Sequence, residues 1–141
     1  MPYRHVLTVY DGTPESEQLL DMVCRIVRPY HARLTILIVK LVPLTEELPT
    51  YQQGANPEVD AIAEQAESLA SSRRVTAAVS VRYARALGPA VVAESRLHGA
   101  DCVALSIPDP EKLASDEAWH RDVSTILRQT TCALMLCRPG R

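Results

Sequence analysis

Near the start of the chain, Asp11 sits in the stretch Asp11-Gly12-Thr13-Pro14. A carboxylate on such a turn can accept hydrogen bonds from a ligand's hydroxyl groups or from backbone amides just beyond it. Thr13 followed by Pro14 has the form of a helix N-cap with proline at the first helical position. A second polar stretch begins at Ser106 and runs through Pro108-Asp109-Pro110, Glu111, Asp116 and Glu117 to His120-Arg121. Its two prolines carry no N–H, and its carboxylates repel anions. Arg121 is the cation that offsets some of this charge or holds a different anion. No glycine occurs between Gly99 and Gly140.

Other chemistry finds no support. His5, His31, His98 and His120 are scattered, without the i, i+4 spacing of a helical metal site. Cys24, Cys102, Cys132 and Cys137 form no CxxC pair and match no zinc spacing, so they read as buried, reduced thiols. Ser16, Ser106 and Ser124 have no His/Asp arrangement around them, and no Gly-x-Ser-x-Gly elbow exists. The expectation is a binding module, without catalytic or metal-ligating residues, rather than an enzyme. Trp119 is the only tryptophan; it reads as core or helix-flank packing, with a partner anchor as the other reading.

The elements that must position these residues alternate along the chain. His5–Tyr10 reads as a strand and ends at the Asp11 turn. Leu19, Leu20, Val23, Ile26 and Val27 follow at helical spacing, in a helix that should end before Pro29. Leu34–Val39 is nearly all apolar, as in a strand covered on both faces. Residues 43–57 hold Pro43, Pro49, Pro57, Gly54 and Asn56 and read as a long surface loop.

Val59, Ile62, Ala63, Ala66, Leu69 and Ala70 make a helical stripe, after which Arg73-Arg74 suits a helix C-terminus. Val75–Tyr83 is a strand, and Gly88-Pro89 opens a helix to about His98-Gly99. Asp101–Ser106 is a strand, residues 111–118 are ambiguous, and Asp122–Gln129 is a helix. Thr131–Arg138 is a last strand, uninterrupted until Pro139, and lies at an edge. This alternation predicts one α/β domain over residues 1–141, a three-layer sandwich with a doubly wound, parallel, five-stranded sheet.

Bulk composition agrees with a globular chain of 141 residues, 47% hydrophobic and 23% charged. Phe is absent, so Val, Leu, Ile and Ala must fill the core. A formal net charge of −2 gives no basic surplus for nucleic acid. The longest apolar run, Leu34–Val42, is broken by Thr35 and Lys40 and is too short to span a membrane. No signal-like stretch precedes His5, so a cytoplasmic location is expected.

Taken together, Asp11-Gly12-Thr13 after a first strand, Gly88-Pro89 before a helix, His98-Gly99-Ala100-Asp101 leading into Cys102–Ser106, and Thr131-Cys132-Ala133 entering a last strand resemble the universal stress protein family. The resemblance covers almost the whole chain apart from the 43–57 loop. It implies an adenine-nucleotide-hydrolase-like fold, a homodimer paired through the C-terminal strand, and action through binding or signalling in stress tolerance. Asp11 would meet the nucleoside end of a ligand and Val39 would line an adenine pocket.

ATP-binding relatives carry Gly-x2-Gly-x9-Gly-Ser/Thr after the fourth strand. Here Ser106 stands at the first glycine and Asp109 at the second. The last pair becomes Trp119-His120 counted forward, or His120-Arg121 counted back from the final strand. The candidate site is therefore Asp11, Gly12, Thr13, Val39, Ser106, Asp109, His120 and Arg121, in a degenerate form. The resulting expectation is no cofactor and no ATP in the usual mode, with function through a protein partner or small ligand. The alternative is an adenine nucleotide, ATP or AMP, held by an atypical phosphate loop.

Overall fold

The computed structural model describes residues 3–138 and Gly140, so the reading of Pro139 as the end of the last strand lies outside the described residues. Five parallel strands, β1 (His5–Val9), β2 (Arg33–Leu41), β3 (Ala77–Ala84), β4 (Cys102–Ser106) and β5 (Ala133–Cys137), form one sheet in the order β3-β2-β1-β4-β5. Helices α1 (Pro14–Val27), α2 (Pro57–Ser72), α3 (Leu87–His98), the short α4 (Pro110–Leu113) and α5 (Glu117–Gln129) fill the connections. This is the doubly wound three-layer α/β architecture. Strands β1 and β4 are neighbours, and β5 is an edge.

Strand side chains alternate between the two faces. Val6, Ile36, Ile38, Cys102 and Ala104 meet Leu19, Leu20, Val23 and Val27 of α1 and Val59, Ala66 and Ala70 of α2. Leu7, Leu37, Val103 and Leu105 point the other way, onto Val91 and Val92 of α3 and Ile126 of α5. The central strands are mostly apolar because each face is covered by helices, and buried His5 and Thr35 pair with each other at 2.7 Å. Burying one such Leu, Ile or Val side chain contributes about 1.5–3 kcal/mol.

Several boundaries move. Helix α5 begins at Glu117, five residues before Asp122, because the Asp116 carboxylate accepts from Trp119 N at 2.9 Å and caps it. The ambiguous stretch before it contains α4, capped by Asp109. Strand β2 continues to Leu41, and β3 starts only at Ala77. Val75 instead closes the end of α2, its N–H reaching Ala70 O at 2.9 Å. Strand β5 starts at Ala133, beyond Thr131 and Cys132.

The long loop is tied to α2, where Asp60 accepts from Tyr51 OH at 2.6 Å and from Gly54 N at 2.8 Å. All four cysteines are free, and burial pushes the Cys24 and Cys102 thiols up to about 11. Among the described residues, no helix is long and apolar enough to cross a membrane.

Candidate functional site

Where strand order reverses, the chain leaves β1 for α1 on one face of the sheet and β4 for α5 on the other, and a crevice lies between the two connections. A cavity of about 400 Å³ opens there, with an apolar wall of Val9, Leu87, Leu105 and Val123 and the ring of Trp119. Of the predicted site residues, Asp11, Thr13, Ser106 and Asp109 line it. Asp11 fills its turn role at the mouth of the crevice. It faces the crevice while its Oδ1 accepts from Thr13 N at 3.0 Å and Thr13 Oγ1 at 2.6 Å.

Four predicted residues lie elsewhere. Gly12 turns with φ +82° beneath α2, where a Cβ would stand 3.4 Å from Ile62 Cγ1. Val39, one strand further along, packs into the core under α3 and α5. His120 and Arg121 sit on α5 between the inward positions Trp119, Asp122, Val123 and Ile126. The helical period therefore turns them away from the crevice, and both are exposed. His120 Nε2 pairs with Leu113 O at 2.7 Å, and its ring stands edge-on to Trp119 at 5.3 Å.

Glu15, Lys112, Trp119 and Asp122, which are not among the predicted site residues, also line the crevice. Trp119 Nε1 donates to Ser106 O at 3.1 Å, fixing the indole across the end of β4. Asp122 Oδ1 accepts from Gly88 N at 2.9 Å. A Cβ on Gly88 would lie 2.9 Å from Asp122 Cα, so glycine is what lets α3 approach α5 this closely. The missed signal was the run Asp116-x-x-Trp119, a cap followed by inward positions at helical spacing.

The electrostatics follow from this list. Four carboxylates (Asp11, Glu15, Asp109 and Asp122) face the cavity against one ammonium, Lys112. Helix N-termini are ordinarily anion sites, because their first N–H groups lack partners. Here each has an occupant. Thr13 Oγ1 accepts from Ser16 N in α1, Asp122 from Gly88 N in α3, Asp109 from Glu111 N in α4, and Asp116 from Trp119 N in α5. Asp109 and Asp116 are thus helix caps as well as local negative charge. No group of three or more His, Cys, Asp or Glu side chains among the described residues is arranged to hold a metal ion.

Comparison with known proteins adds three findings. The model of the universal stress protein family matches residues 2–138. No curated protein sequence matches the chain. Similar solved structures include a universal stress protein in complex with cAMP, 14% identical with a TM-score of 0.72 and 98% of each chain covered. The universal stress protein of Archaeoglobus fulgidus in complex with dAMP is 9% identical, TM-score 0.69, covering 96% of this chain and 98% of that one. A universal stress protein family protein of Arabidopsis thaliana with AMP bound is 9% identical, TM-score 0.67, with 96% and 92% covered.

Proposed function

Because the chain belongs to the universal stress protein family, we propose that it is a non-enzymatic stress-response module that does not hold ATP in the family's usual mode. It acts from the cytoplasm as a homodimer, through a protein partner or a small ligand in the crevice. One observation carries this reading: the helix N-termini around the crevice are already capped by the protein's own oxygens. A triphosphate would find one N–H of each of these termini already taken. It would also enter a lining with three more carboxylates than ammonium groups. At 4 Å and an effective dielectric of 20, each like-charge pair costs about 4 kcal/mol. A neutral or cationic molecule with an apolar body suits the Trp119 wall better.

A second reading is an adenine-nucleotide binder with an atypical phosphate loop. Asp11 and Thr13 in the crevice favour it, as do the relatives solved with cAMP, dAMP and AMP. Calorimetric titration with ATP, AMP and adenosine, with magnesium present, separates the two. The expected result is no binding that Asp11→Ala weakens, in a variant that still folds. Micromolar ATP or AMP binding that Asp11→Ala abolishes would establish the second reading instead.

A further inference from the structure

The other end of α1 carries the opposite charge. Between the C-termini of α1 and α2 lies a cavity of about 330 Å³, lined by Cys24, Arg25, Arg28, Ser72, Arg73 and Arg74. Asp21 pairs with Arg25 at 3.1 Å and also with Arg73, and so fixes both guanidiniums at the rim. Arg28 and Arg74 have no carboxylate within ion-pair distance among the described residues.

Arginines at helix C-termini complement the helix dipole, and part of this cluster does so here. Each helix end is worth about half a negative charge, so two ends and Asp21 leave a surplus of about two positive charges over the cavity.

Arg74 is costly where it stands. It takes φ +60° directly after the C-cap of α2, with Arg74 N donating to Ser71 O and Val75 N to Ala70 O, both at 2.9 Å. Glycine is the usual residue at this position. The chain does use Gly99, at φ +65°, to close α3. At α2 the same turn carries an arginine, which lines the cavity together with Arg25, Arg28 and Arg73.

We propose that this cavity is a second binding site, for a compact, multiply charged phosphate anion. Guanidinium forks match phosphate oxygens in bidentate geometry. The size of the pocket and the absence of a basic surplus over the whole chain favour a small anion over a nucleic acid.

The test is titration of the intact protein with inorganic tripolyphosphate, pyrophosphate and orthophosphate at low salt. Binding should tighten with ligand charge and weaken as salt rises. ATP should bind no better than tripolyphosphate, because no base is read here, and Asp11→Ala should leave this binding unchanged. Arg28→Ala should weaken tripolyphosphate binding about tenfold, the loss of one charge-assisted bond.

Arg74→Gly should weaken binding similarly while raising the melting temperature of the free protein by roughly 3 °C, because the left-handed turn is relieved. That opposition separates a ligand role from a folding role. Three results would overturn the proposal: no saturable binding at low salt, binding unaffected by both arginine variants, or binding lost in Asp11→Ala. Attachment to phosphatidylglycerol vesicles without binding of soluble polyphosphate would overturn it too, by assigning the cluster to a lipid surface.

Discussion

At the scale of single residues, Asp122 holds two roles that most folds divide. It caps α3 from outside by accepting the Gly88 N–H, and it places a negative charge in the crevice. Asp122→Ala should cost about 1 kcal/mol, the worth of an N-cap, while Asp122→Asn keeps an acceptor oxygen and should cost less than half of that. Paired thermal melts check the difference. The Thr13 cap was legible because Pro14 follows it, whereas Asp109 and Asp116 also cap helices two or three residues ahead but were read only as negative charge. Asp122 was not legible, because its partner is 34 residues distant and only the α3–α5 contact brings them together.

Among the elements, the α3–α5 contact is the tightest joint near the crevice. Gly88→Ala places a methyl 2.9 Å from the Asp122 backbone and must spread the helices. The expected cost is about 1–3 kcal/mol, typical of overpacking, with the Asp122 cap weakened as well. A denaturant melt gives the cost. The strands and helices α1 and α2 were readable from their apolar patterns, because two covered sheet faces impose these on the chain, and α3 was readable from Gly88-Pro89 and His98-Gly99 at its ends. The start of α5 was not, because Glu117, His120 and Arg121 dilute the stripe that Trp119 begins. His120 and Arg121 were read as site residues by counting the family's phosphate-loop spacing, which does not register that only Trp119 of the three lies on the inward face of α5.

For the molecule as a whole, the open question of assembly falls on β5. Its outer edge has no neighbouring strand, and Leu136 is 40% exposed there. Unpaired apolar edges are usually covered, often by a second copy. Light scattering at micromolar concentration should therefore give a dimer mass, and Leu136→Lys should shift it to the monomer without unfolding the domain. A wild-type monomer at that concentration would remove the homodimer from the proposed function.

Helix α1 bears on both cavities at once. Thr13 and Ser16 at its first turn line the acidic crevice, while Cys24, Arg25 and Arg28 at its far end line the basic one. Fourteen residues make a rod about 21 Å long, and its buried stripe seats it firmly on the sheet. A rod so held can tilt or slide only as a unit, so a ligand that shifts one end also shifts the other. If an occupant at one end displaces this rod, reciprocity requires that an occupant at the other end alter the first one's affinity by the same factor.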